Sequence, residues 1–184
     1  MDIQGFHHVA YRCANAKQTV EFYQQVLGMG FQLAIAEDKV PSTGESDPYM
    51  HIFLDAGNGN VLAFFELPQS PDMGSDLNTP KWVQHIAFKV PDMDALVAAK
   101  ERIEGLGIDV LGPIDHTLFK SIYFFDPSGH RLELATNTAQ PGMLEELHRV
   151  APAMLEEWDK TKRAPQHAAW LHDKTKPFNK DTLS

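Results

Sequence analysis

The sequence predicts an α+β fold built from two tandem βαβββ modules followed by a C-terminal helical extension. Three observations carry this: an internal repeat, a helix-spaced segment after each copy of it, and short β-like runs closed by hairpin-type turns. The repeat is explicit. His8-Val9-Ala10-Tyr11-Arg12-Cys13 matches His85-Ile86-Ala87-Phe88-Lys89-Val90 in kind at each position, shifted by 77 residues, and self-similarity of this sort marks a duplicated structural unit.

Both copies alternate as strands do. After the first, Lys17 to Gly28 places Val20, Tyr23, Val26 and Leu27 at helical spacing and ends on glycine, the usual helix stop. After the second, Asp92 is the N-cap, Met93 to Glu104 carries Leu96, Val97 and Ile103, and Gly105-Leu106-Gly107 closes the helix. Three β-like runs follow in each half: Phe31 to Ala36, Met50 to Asp55 and Val61 to Leu67, then Ile108 to Leu111, Phe119 to Phe125 and Arg131 to Ala135. Gly57-Asn58-Gly59-Asn60 and Asp126-Pro127-Ser128-Gly129 supply the hairpin turns.

The boundaries follow. Residues 1–138 form the duplicated domain, with module one at about 4–67 and module two at about 81–136. Two stretches rich in Pro, Ser, Gly and Asp, residues 41–48 and 68–80, read as loops, the second joining the modules. Residues 139–184 form the extension: Leu144, Leu147, Val150, Met154, Leu155 and Trp158 suggest one or two helices interrupted or restarted at Pro152, then a polar tail to Ser184. The extension is either a lid over the site or an oligomer contact, and the apolar helix favours the contact.

Composition narrows the function classes. Sixteen basic against twenty-five acidic residues give a net charge of −9, the wrong sign for nucleic acid or an anionic membrane. No apolar run approaches a membrane span, and the N-terminal residues lack a leader's basic and apolar regions. A cytoplasmic protein is expected. The single Cys13, among apolar neighbours, reads as a packed small hydrophobe rather than a nucleophile.

The chemistry lies in the equivalences. His8 and His85 share one repeat position, so if either lines a cleft between modules, so does the other. Glu133 is a charged residue between leucines in a strand otherwise fit for burial. Burying a carboxylate alone is expensive, and a metal ion relieves that. Two imidazoles and one carboxylate are the donor set typical of non-heme Fe(II) sites.

At this point the chain resembles the vicinal oxygen chelate superfamily, which includes glyoxalase I, methylmalonyl-CoA epimerase, bleomycin- and fosfomycin-resistance proteins and extradiol ring-cleaving dioxygenases. The resemblance covers about residues 4–136 and leaves the extension unexplained. It implies a mixed, curved eight-stranded sheet around a metal cleft, a homodimer, and His8, His85 and Glu133 as metal ligands.

The run from Ile114 to Glu133 is similar to the extradiol dioxygenase signature: His116, then Ile122-Tyr123, then Asp126-Pro127-Ser128-Gly129 and the ligand Glu133. The resemblance implies that Tyr123 hydrogen-bonds a substrate oxygen and that His116 contacts the same region. It also implies a small-molecule substrate of the aromatic diol kind, with Fe(II) as cofactor. One departure stands out: where extradiol enzymes carry a further catalytic histidine before the last strand of module one, this chain has Asn60, which donates a hydrogen bond but carries no proton at neutral pH. His51, on the neighbouring strand, is the nearest substitute.

Glyoxalase and epimerase relatives use a fourth ligand, Glu or Gln, from module one. Counting from the hairpin glycine puts Ala63 opposite Glu133; counting by distance to the next module's histidine puts Glu66 there. Turn geometry fixes strand register, which favours Ala63 and three ligands, with Glu66 the fourth only through a longer hairpin. Three readings stand: an Fe(II) extradiol dioxygenase; a lyase or isomerase using Ni(II), Zn(II), Co(II) or Mn(II); and a binding protein of the bleomycin-resistance type.

Overall fold

The computed structural model describes residues 1–74, 76–171 and 178. The polar tail read for the end of the chain lies, Phe178 apart, outside the described residues. Two compact units are present: Met1–Phe88 with Phe124–Glu133, and Lys89–Tyr123 with Leu134–Ser184.

In order, the elements are β1 (Val9–Cys13), α1 (Ala16–Leu27), β2 (Gly30–Lys39), β3 (Ser46–Asp55), β4 (Val61–Glu66), β5 (Ile86–Lys89), α2 (Met93–Gly105), β6 (Leu111–Asp115), β7 (Phe119–Phe125), β8 (Arg131–Asn137) and α3 (Met143–Thr161), then a short 3-10 helix, Gln166–Leu171. The βαβββ order appears twice, as the repeat predicts. The eight strands form two four-stranded sheets, ordered β1-β4-β3-β2 and β5-β8-β7-β6. The first sheet is mixed, because β1 pairs parallel with β4 while β4–β3 and β3–β2 are antiparallel.

In the first unit, α1 starts at Asn15, whose side chain accepts from the Gln18 N–H at 2.8 Å, and ends at Gly28 in the left-handed conformation with φ 67°. The Gly28 N–H bonds back to the Gln24 carbonyl, satisfying a carbonyl the helix end would leave orphaned. The helix buries Tyr23 and Val26, with Ile52, Leu54, Leu62 and Phe64 of the sheet also buried; the Tyr23 and Phe64 rings stand 5.2 Å apart. Cys13 is buried here and burial pushes its thiol up, in keeping with a packing role.

In the second unit, α2 is capped by Asp92, which accepts from the Ala95 N–H at 2.8 Å, and buries Leu96 and Ile103. Strand β6 lies later than the alternation predicts. A register shift separates the Leu111 and Ile114 pairings with β7; between them Gly112 has φ 110° and passes so close to β7 that a Cβ there would lie 2.6 Å from the Ser121 carbonyl oxygen. Gly-Pro at a bulge hides the strand pattern. The helix α3 runs unbroken through Pro152 rather than stopping or restarting there; one lost N–H bond is tolerated where the helix also packs, burying Met143, Glu146 and Val150. Its Leu155 and Trp158 are exposed. Among the described residues no helix is long and apolar enough to cross a membrane.

Candidate metal centre

His85 directly precedes β5, and Glu133 sits mid-strand in β8, 3 % exposed. Their Nε2 and Oε2 atoms stand 2.9 Å apart. On the other side of the ring, His85 Nδ1 lies 2.9 Å from the Val83 carbonyl oxygen. A carbonyl only accepts, so Nδ1 carries the proton, and the neutral ring then turns a lone pair toward the carboxylate. Two acceptors at that distance need a cation against both, either a proton on Nε2 or a metal. Metal bonds of about 2.1 Å at right angles put such donors about 3.0 Å apart, so this pair fits adjacent positions on a metal. A histidine whose second nitrogen donates to a backbone carbonyl is also the usual arrangement of a metal-bound imidazole.

His8 belongs to another cluster. Its Nδ1 lies 2.8 Å from Nδ1 of His7, and its ring is 5.9 Å from His51 and 5.7 Å from Phe53. Among the described residues, no three His, Cys, Asp or Glu side chains are grouped closely enough to hold a metal ion. Two of the three expected ligands are therefore together, and the third stands apart within one chain. Parallel pairing of β1 with β4 of its own module keeps His8 with the first sheet.

The register also places Ala63 and Glu66. Ala63 pairs with Ala10 and Phe53, and Phe65 pairs with His51; the Phe65 and His51 rings stack at 3.6 Å. Residues 63 and 65 thus share the face on which His8, His51 and Phe53 meet. Glu66 is on the opposite face, where its Oε2 accepts the Ala16 N–H at 2.5 Å. A carboxylate at a helix N-terminus satisfies an orphan donor and opposes the helix dipole, so Glu66 is occupied with α1.

Asn60 closes the β3–β4 turn: its Nδ2 donates to the Gly57 carbonyl at 3.0 Å, as does its backbone N–H at 2.9 Å. In the second unit, His116 Nε2 and Tyr123 Oη are 2.9 Å apart, with Tyr123 8 % exposed. The two residues singled out from the signature are hydrogen-bonded to each other.

Two features escaped the sequence reading. The Val83 carbonyl that orients His85 is backbone and leaves no signature. Asp126 was read only as a turn residue, yet its buried carboxylate accepts from Tyr23 Oη at 3.1 Å and from the Ser128 and His130 N–H groups at 2.9 and 2.8 Å; burial pushes its carboxyl up. His51, the substitute named for the missing histidine, is 9 % exposed, and its Nε2 makes no hydrogen bond among the described residues. Burial, then the neighbouring His8, pushes its pKa down.

Paired βαβββ modules, with a histidine just before one strand facing a carboxylate on the neighbouring strand, define a class, and residues 5–134 match the model of the Glyoxalase/Bleomycin resistance protein/Dioxygenase superfamily. The chain belongs to that superfamily. Among similar proteins, Bacillus subtilis "Putative ring-cleaving dioxygenase MhqA" is 29% identical over 146 residues, 77% of this chain; the chain spans only 43% of that relative's length. Lactoylglutathione lyase of Pseudomonas aeruginosa is 27% identical over 70% of this chain and 80% of its own. Metallothiol transferase FosB of Shouchella clausii is 31% identical over 83% and 93%. Of solved structures, a glyoxalase family protein from Enterococcus faecalis is 28% identical with TM-score 0.55, over 73% of this chain and 99% of its own. A glyoxylase/bleomycin resistance protein/dioxygenase domain from Frankia shares the fold at 16% identity and TM-score 0.58, over 74% and 100%. The curated relatives are enzymes, and at that coarse level the chain is a metal-dependent enzyme of the superfamily.

Proposed function

We propose that the protein is an Fe(II)-dependent ring-cleaving dioxygenase of the extradiol type, acting in the cytoplasm on a small aromatic diol. The observation that carries this is the fourth place. By the hairpin count Ala63 is the counterpart of Glu133, and Glu66 is tied to α1 on the other face of β4, which supports two imidazoles and one carboxylate as the whole protein donor set. His85 and Glu133 would hold the ion, and His8 would complete the set from the second copy of a homodimer. That last assignment follows from the separation of His8 from the pair within one chain.

Bound there, ferrous iron would supply chelation of both diol oxygens and a path for electrons from the ring to dioxygen. The remaining work falls to side chains. Val83 fixes the ring of His85 so that Nε2 faces the ion. Tyr123 Oη would donate its one proton toward a substrate oxygen, and His116 Nε2–H, against that hydroxyl, would donate to its oxygen and hold it in place. Asn60 is spent on its turn and takes no part in proton transfer.

That same absence of a proton-carrying residue at position 60 favours the second reading, a lyase or isomerase using Ni(II), Zn(II), Co(II) or Mn(II). Oxygen uptake separates the two. Protein loaded anaerobically with Fe(II) and mixed with a panel of catechols is expected to consume oxygen with formation of a yellow ring-opened product; bound nickel or zinc with no oxygen consumption on any catechol would overturn the dioxygenase reading.

A further inference from the structure

The linker between the modules walls a cleft of about 860 Å3 whose lining includes Tyr11, Lys81, His85, His130 and Arg131, with Asp76 the one carboxylate among the described lining residues. His85 contributes a one-third exposed side chain to this wall while facing buried Glu133, so the cleft opens onto the candidate metal pair. The Tyr11 and His130 rings, 5.4 Å apart and tilted by 53°, offer it an aromatic face and an aromatic edge.

Its charge runs against the rest of the chain. The protein carries −9, yet Lys81 and Arg131 line the cleft against Asp76 alone. The Asp76 carboxylate is turned into its own loop, accepting from Thr79 Oγ1 at 2.5 Å and the Asn78 N–H at 2.9 Å, and these bonds hold it below the usual carboxylate range. Arg131 donates from Nη1 to the Trp82 carbonyl at 2.8 Å. Lys81 takes part in no hydrogen bond or ion pair among the described residues.

We infer that this cleft selects substrates bearing one anionic substituent of the carboxylate class, bound by the Lys81 ammonium, with the reacting oxygens directed to His85. The inference takes the reacting end from the function proposed above; the anion site itself rests on the cleft. Lys81 is exposed, so the ammonium–carboxylate pair is a charge-assisted contact open to solvent and weakened by salt.

The test compares ligands that differ only in charge. Binding of 3,4-dihydroxybenzoate and 3,4-dihydroxybenzamide, and of the non-chelating pair benzoate and benzamide, is measured by ligand-observed NMR on metal-free and metal-loaded wild-type protein and on Lys81→Gln and Lys81→Glu variants. Wild type is expected to favour each acid over its amide by about threefold, the scale of an exposed ion pair. Lys81→Gln is expected to abolish the preference and Lys81→Glu to reverse it. Should the diols bind without regard to metal while benzoate keeps its Lys81-dependent preference, the dioxygenase reading falls and the anion site stands. An acid-to-amide ratio unchanged in Lys81→Glu, or no binding of either acid, overturns the anion site whatever the metal does.

Discussion

His85 Nε2 stands 2.9 Å from Glu133 Oε2 while the same ring's Nδ1–H is committed to the Val83 carbonyl. With the tautomer fixed from behind, the pair has room for one cation between its facing lone pairs. Glu133 sits mid-strand in β8 and His85 directly precedes β5, the neighbour of β8 in the second sheet, so strand pairing and the Val83 contact together set their separation. Rigid elements hold a binding geometry better than loops do.

The assignment of His8 to a partner's site has a sharp consequence. Mixing His8→Ala with His85→Ala subunits under conditions that exchange chains should restore about a quarter of wild-type activity, because half the dimers are mixed and each mixed dimer regains one complete site. Each variant alone should be inactive. No restoration, with subunit exchange demonstrated, would place the whole site within one chain.

Glu66→Ala should leave metal content unchanged and lower stability by about 1 kcal/mol, the usual worth of a helix N-terminal cap, since the Oε2 that Glu66 presents to the Ala16 N–H is its working atom. Thermal unfolding and metal analysis of the same sample decide this. Loss of the metal from a folded Glu66→Ala protein would make Glu66 a ligand and favour the lyase reading.

Removing the hydroxyl in Tyr123→Phe, or the imidazole in His116→Ala, should lower kcat by about 100-fold with metal content intact, the scale of a lost acid–base or orienting group. The two losses should not add, because the residues share one hydrogen bond. A double variant as much worse as the product of the singles would show that they act separately.

Asp126 predicts a pH dependence of stability. Burial raises its carboxyl above the ordinary 3.8, so the folded state holds this proton more tightly than the unfolded chain. The associated stability is fully present below the unfolded pKa and is lost as pH rises through the folded one. In Asp126→Asn the side-chain amide keeps an Oδ1 for the Ser128 and His130 N–H groups without titrating. Unfolding of Asp126→Asn beside wild type from about pH 3 to about pH 7, which brackets the ordinary carboxylate range, should therefore show the variant gaining relative stability as pH rises. A relative loss over that range would contradict the sign.

Much of the fold was legible because a duplication prints its own signal. The two copies around His8 and His85, the Asp92 cap and the glycine stops gave both modules, and the superfamily match bears that reading out. What stayed hidden was set by tertiary context. The bulge at Gly112 broke the strand alternation, and packing along α3 carried the helix through Pro152. The site was legible in its residue types and less so in its assembly. The Ala63 position follows from hairpin register, a local property, whereas the distance between His8 and the His85–Glu133 pair depends on which strands share a sheet, which no short-range pattern encodes.

Anomalous diffraction at the iron edge, on crystals loaded anaerobically with Fe(II), tests the central claim most directly. The account predicts one peak per chain, bonded to His85 Nε2 and Glu133 Oε2 with His8 of a second copy as the third protein donor, and no peak near Glu66. An iron peak elsewhere, or none between His85 and Glu133, would contradict it.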